Sequence, residues 1–169
     1  GLAQANKHFN DALARNSGSD EANFLAALTQ LALLQQQAAM ATLLEKLGII
    51  TFDSNIYSLD YEIPRDENGD PVAVEGSNTS DIIDYFNDTL LVGLDDFQKK
   101  LARINTEAFF VNLSDSETAS LYLVLDLADI QYLRAAGFAA ECMIHLLITY
   151  DTAVSLEKVA QLHKENKVT

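Results

Sequence analysis

SDSETASLYLVLDLADIQYLRAAGFAAECMIHLLITY, Ser114 to Tyr150, is the stretch on which the reading of this chain turns. Ser114 and Glu117 have the Ser-x-x-Glu spacing of a capping box, in which two side chains satisfy free N–H groups at a helix start. Apolar residues then continue to Tyr150 over most of the helical circumference. The spacing predicts one helix of about 36 residues, roughly 54 Å long at 1.5 Å per residue. That exceeds what a compact domain of this size needs, so a bend near Gly137 or a projecting end is expected. Asp126, Asp129, Arg134 and Glu141 break the apolar run, which argues against a membrane span. Cys142, between Glu141 and Met143, reads as a small buried hydrophobe.

At 100° per residue, Arg134, Glu141 and His145 share one stripe of that helix. Glu141 and His145 are four apart and can touch, as an acid–base or metal pair would. A solvated stripe on an otherwise buried helix is the preferred reading of them. The di-iron arrangement needs Glu-x-x-His and further carboxylates on other helices, and no second such motif follows. Tyr122, Asp126 and Asp129 lie on a different face, continued by Leu133, Ala136, Gly137, Ala140, Ile144 and Leu147. Small residues there let another helix approach closely. Two carboxylates at the end of such a face need partners if they are buried. Tyr122, Asp126 and Asp129 are therefore candidate ligand-binding residues, since a proton shared between carboxylates suits acid–base work. Pairing with Arg103, Arg134 or a helix N-terminus is the structural alternative.

Upstream, Ala5, Phe9, Ala12 and Leu13 form one helical stripe within residues 3–15, ended by Asn16, Ser17 and Gly18. Ser19 or Asp20 caps a second helix running to about Leu47, with Gly48 as its stop. Gln35, Gln36 and Gln37 mark a bend or exposed turn within it. From Ile49 to Ile63 the pattern becomes extended, Pro64 and RDENGDP form a turn, and VAVE returns as a strand. A short β-hairpin or extended excursion is thus expected at about 57–75. Ser77 to Ser80 offer N-caps for a third helix ending near Ile104, which Gly93 would kink or split. Residues 105–113 read as a link, with Phe109, Phe110 and Val111 in the core. Ser155 and Lys158 bracket the start of a last amphipathic helix.

ALARNSGSDEANFLAA, Ala12 to Ala27, resembles the junction between two tetratricopeptide repeats. In that family a helix ends in an Ala-Leu pair, a short Asp-Pro-Asn-like turn follows, and an Ala opens the next helix. Ala5, Phe9, Ala12 and Leu13 match the outgoing helix; Ala22, Phe24 and Ala27 match the incoming one. The match covers roughly residues 3–34. Ser17 stands where the turn proline would be, Ala27 stands at the usual glycine-like position, and no second copy follows at 34 residues. The resemblance implies an antiparallel helical hairpin and a partner-binding helical surface.

Asp66, Asn68 and Asp70 have the D-x-N-x-D opening of a calcium loop and are the candidate metal ligands. Pro71 and Ser77 stand where that loop needs Gly and Glu, which favours a polar turn. Asp81, Asp84 and Asp88 line one face of the third helix and read as a solvated face. His8, His145 and His163 are scattered, and the glycines form no phosphate-cradling loop. No cofactor motif is present.

The chain has 169 residues, a net charge of −14 from 25 acids and 11 bases, and 49% hydrophobic residues. That balance argues against nucleic acid and anionic membrane surfaces as partners, favours solubility or a basic partner, and leaves room for a protein partner. One cysteine excludes an intrachain disulfide framework. Gly1 in place of Met reads as the scar of a removed segment, and the composition leans towards an exported protein of a bacterial periplasm or cell envelope. The expectation is one domain over residues 1–169, all-α in the main. About five helices form helical hairpins or an irregular bundle. The expected function is a non-enzymatic scaffold or protein-interaction domain. The alternative is a small-ligand binder or enzyme with a carboxylate pocket at Asp126 and Asp129.

Overall fold

Asn16 to Ser19 carry the first reversal of the chain. α1 (Leu2–Arg15) stops at Asn16, and the Ser19 hydroxyl accepts the Ala22 N–H at 3.3 Å, capping α2 (Asp20–Leu34). The structure, a computed structural model, describes residues 1–34, 36–51, 61–62, 64–114, 122–150 and 154–167. The fold is mainly helical with short antiparallel strand pairs. After α2 come α3 (Ala38–Lys46), β1 (Ile50–Thr51), β2 (Tyr61–Glu62), α4 (Thr79–Tyr85), a π-turn (Phe86–Leu90), α5 (Leu91–Leu101), β3 (Phe110–Ser114), β4 (Tyr122–Asp126), α6 (Leu127–Thr149) and α7 (Leu156–Lys167).

The chain divides into two compact units, one of Gly1–Leu33 with Val92–Ile144, the other of Leu34–Leu91 with His145–Thr169. In the first, Phe24, Phe97, Leu101, Ile104, Phe109 and Ile130 form a core together with Ala27 and Val111. Phe24 meets Phe109 edge-on, with ring centroids 6.0 Å apart. α1 packs on α2 through Phe9 and Leu13 against Ala22 and Ala26, whereas Ala12, of the same helical stripe, is exposed. Asn6 fastens the pair by donating to Ala26 O at 3.2 Å and Thr29 Oγ1 at 2.9 Å.

The long helix expected from Ser114 is the main correction. Ser114 closes β3, which pairs antiparallel with β4 in the register Phe110↔Asp126, Val111↔Leu125, Asn112↔Val124, Leu113↔Leu123 and Ser114↔Tyr122. The Ser114–Glu117 box therefore does not start a helix; Glu117 lies outside the described residues. Strand alternation also explains Phe110. Phe109 and Val111 are buried, while Phe110, expected beside them, is 71% exposed because it points to the other face.

α6 runs through Gly137 without interruption and buries one narrow stripe: Ile130, Gly137 and Ile144. These positions are seven apart, the repeat that keeps one seam facing a neighbour. Gly137 does not break the helix. A Cβ there would overlap the Gln98 side-chain amide and sit 3.5 Å from Phe97, so the glycine lets α5 come close. Cys142 is exposed, not buried.

In the second unit, the second helix of the sequence reading is broken. α2 ends at Leu34 and α3 begins after Gln37, as the glutamine run suggested. Gly48, at φ +69°, ends α3: Ile49 N–H donates to Leu44 O at 2.8 Å and Gly48 N–H to Glu45 O at 3.0 Å, the paired bonds of a Schellman end. Of the excursion expected at 57–75, residues 57–60 and Ile63 lie outside the described residues. β2 pairs with the preceding β1, and among the described residues the return is a single bridge, Pro71 to Arg65, with the Val72 N–H donating to Pro64 O at 2.8 Å. Asn78 caps α4 by accepting the Ser80 N–H at 3.0 Å. The irregularity expected at Gly93 sits instead at the π-turn, and Gly93 is buried within α5.

Candidate functional site

Asp126 and Asp129 sit where β4 turns directly into α6, and each carboxylate is used there. Asp126 Oδ1 accepts the N–H groups of Ala128 at 2.8 Å and Asp129 at 3.2 Å, and Asp129 Oδ2 accepts the Asp126 N–H at 2.9 Å. This is a reciprocal capping box with Asp in both roles. It begins the helix twelve residues after the box that the sequence suggested. Two negative groups at a helix N-terminus also face the positive end of its dipole. Asp126 is exposed and Asp129 half-buried. Of Tyr122 only the strand position is described. The helix-terminus alternative thus accounts for both carboxylates.

The cap has a testable signature. Asn caps as well as Asp, and Ala does not. Asp126→Ala is expected to lower the unfolding free energy by about 0.5–2 kcal/mol, and Asp126→Asn by only a few tenths. Urea unfolding of both variants is the check; equal losses would mean that the charge, not the cap, is what matters.

Asp66, Asn68 and Asp70 form a polar turn. Asp66 Oδ1 accepts the Asn68 and Asp70 N–H groups, both at 3.0 Å, and Asp66 Oδ2 meets Lys164 Nζ of α7 at 2.5 Å. Asp66 is thus occupied on both oxygens. Among the described residues no group of three or more His, Cys, Asp or Glu side chains could hold a metal. Lys164 first, then the Asp70 N–H, holds the Asp66 carboxyl below the usual carboxylate range. The same hydrogen bond holds the Lys164 ammonium above its ordinary value. A depressed acid stabilises the fold above its unfolded pKa, about 3.9, and loses that contribution as pH falls through the lower folded value. A raised lysine stabilises below its unfolded pKa, about 10.4, and loses that as pH rises through the folded value. The melting-temperature gap between the natural chain and Lys164→Met is therefore expected to be flat from about pH 5 to 9 and to close as pH falls through the lowered Asp66 value.

Glu141 and His145 do not form a pair. His145 is exposed, whereas Glu141 Oε1 is buried without a hydrogen bond, as are Arg134 Nε and Gln98 Oε1. Gln98 Nε2 donates to Arg134 O at 2.8 Å. Arg134 and Glu141, read as a solvated stripe, flank Gly137 on the inward side of α6, and the helix shows its apolar residues to solvent instead.

Two surface features were not singled out from the sequence. Up to Ile144, every exposed residue of α6 is uncharged, and Tyr132, Phe138 and Met143 are 75%, 52% and 67% exposed. Periodicity revealed an apolar helix but not which side lacked a neighbour. The second feature is an open cleft of about 260 Å³ between α3 and α4, bordered by Lys46, Asp81, Asp84, Tyr85 and Asp88. The i, i+3, i+7 spacing of its aspartates was visible in the sequence; the facing helix was not.

No helix among the described residues is long and apolar enough to cross a membrane. Comparison with protein families, with curated proteins and with solved structures finds no match.

Proposed function

We propose that this chain is a non-enzymatic protein-interaction domain that receives an amphipathic helix of a basic partner on the outward face of α6. The observation that carries the reading is that face, with Tyr132, Phe138 and Met143 exposed and no charge at the exposed positions as far as Ile144. Contiguous exposed apolar surface on a water-soluble fold marks an interaction site, and aromatic residues and methionine are the side chains enriched at such sites. Ala135 and Ala139 between the large residues leave room for a second helix.

The charge selects the occupant. At −14 per chain, a second copy brings like charge to like charge, whereas a helix with a basic rim is attracted. The hairpin of α1 and α2, whose sequence resembles a tetratricopeptide junction, is in keeping with a partner-holding role. The alternative of a carboxylate pocket at Asp126 and Asp129 gains nothing, because both groups already serve the helix start.

A Leu/Lys peptide patterned as an amphipathic helix tests this by calorimetric titration against a scrambled peptide of identical composition. The patterned peptide is expected to bind at least about tenfold more tightly, and Tyr132→Ser/Met143→Ser to remove the difference. Equal binding of both peptides would reduce the effect to bulk charge and overturn the reading. So would sedimentation showing that the chain dimerises through Met143, which would give the face to a second copy.

A further inference from the structure

We propose, resting on the docking role of the outward face of α6, that Met143 is a reversible oxidation site. A hydroperoxide converts its thioether to the sulfoxide and so releases the partner. Met143 is 67% exposed, so its sulfur meets solvent directly. It stands about three turns along α6 from Tyr132 and about 20° around the axis from it, within the same outward stripe. Its neighbours on that stripe, Ala136 and Ala139, are exposed, uncharged and short. Neither side chain offers a hydrogen bond to an oxygen placed on the sulfur. The other methionine, Met40 of α3, is half-buried. Oxidation of sulfur side chains follows exposure, so Met143 reacts first.

The step is an oxygen transfer. The sulfur lone pair attacks the outer oxygen of the hydroperoxide, and the S–O bond forms as the O–O bond breaks. The peroxide leaves as water or an alcohol, its remaining oxygen taking the proton of the outer one. Sulfur gives up an electron pair, the peroxide receives it, and no proton is gained or lost overall. The product carries a polar S–O acceptor where a soft apolar sulfur stood. The apolar stripe of a docked amphipathic helix has no donor for that oxygen, which must therefore shed its water without replacement. Methionine sulfoxide reductase removes the oxygen again, which makes the change reversible.

Hydrogen peroxide treatment of the whole chain, followed by dithiothreitol, is the test. Dithiothreitol returns a sulfenate or disulfide at the exposed Cys142 to the thiol and leaves a sulfoxide in place, so Cys142 drops out of the comparison. In protein labelled with ¹³C-methyl methionine, the Met143 resonance is expected to convert to the sulfoxide before that of Met40. The treated chain is expected to bind the patterned Leu/Lys peptide at least about tenfold more weakly than the untreated chain, and methionine sulfoxide reductase to restore the affinity. Met40→Leu conserves volume and leaves Met143 as the sole methionine, so treatment is expected to weaken its binding by the same factor. Three results would overturn the site: treated and untreated chains within about twofold of each other, a loss that disappears in Met40→Leu, or oxidation of Met40 ahead of Met143. An untreated chain that does not prefer the patterned peptide removes the docking role of α6, and the oxidation switch with it. A treated chain that keeps the preference undiminished removes the switch alone.

Discussion

Phe24→Ala is expected to lower the unfolding free energy by about 3–5 kcal/mol, the usual range for removing a buried aromatic ring. Phe24 is 0% exposed and lies in the core with Phe97, Leu101, Ile104 and Ile130, its ring edge-on to Phe109. The loss combines the transfer of a ring out of water, a cavity that fixed helices cannot close, and the aromatic pair. A fold of this size is stable by about 5–15 kcal/mol, so one substitution removes a large share. Thermal and urea melts followed by circular dichroism measure it. The control is Phe110→Ala, expected to stay within about 0.5 kcal/mol because Phe110 is 71% exposed. A large loss at Phe110 would show that strand β3 has the opposite facing.

Gly137→Val is expected to cost about 3 kcal/mol, and Gly137→Ala about 1–2, against the normal trend for a helix interior. Replacing a helical glycine by alanine ordinarily gains about 1 kcal/mol. Here the new methyl overlaps Gln98 Nε2 and lies 3.0 Å from its Cδ. Gln98 is 6% exposed and donates to Arg134 O at 2.8 Å, so moving it away breaks that bond. A double-mutant cycle shows the cause. In a Gln98→Ala background the obstruction is gone, and Gly137→Ala should change sign and stabilise. Additive effects of the two substitutions would mean that the approach of α5 to Gly137 is not what the glycine serves.

Helix ends were legible where local signals agreed with one another. The N-caps at Ser19, Asn78 and Ser155 and the stop at Gly48 all fall where side-chain chemistry put them. The failure at Ser114 has a physical reason. A Ser-x-x-Glu spacing is a local signal, and the run Leu121 to Leu125 fits a helix as well as a strand. What decides is the partner strand, Phe110 to Ser114, which is remote in sequence and cannot be seen from periodicity. Once the strand takes Tyr122 to Asp126, the helix must begin at the next available cap. The aspartate pair that resembled a chemical site becomes that cap. Burial on α6 was equally hidden. An apolar circumference was read as a buried helix, yet the fully buried positions are confined to the heptad stripe through Gly137. The same limit concealed the α3–α4 cleft, whose aspartates lie on one face in the sequence but border a cleft only with Lys46 and Leu43.

Met143 gives the most direct test of the outward face of α6, because the chain contains only one other methionine, Met40 of α3. With ¹³C-methyl methionine the protein gives two methyl resonances, one on the proposed docking face and one as an internal reference. Titration with the patterned basic helical peptide is expected to shift the Met143 resonance in step with binding and to leave Met40 unmoved. A Met143 methyl that stays in place at saturation, or a shift confined to Met40, would contradict the assignment of α6 as the surface that receives a partner.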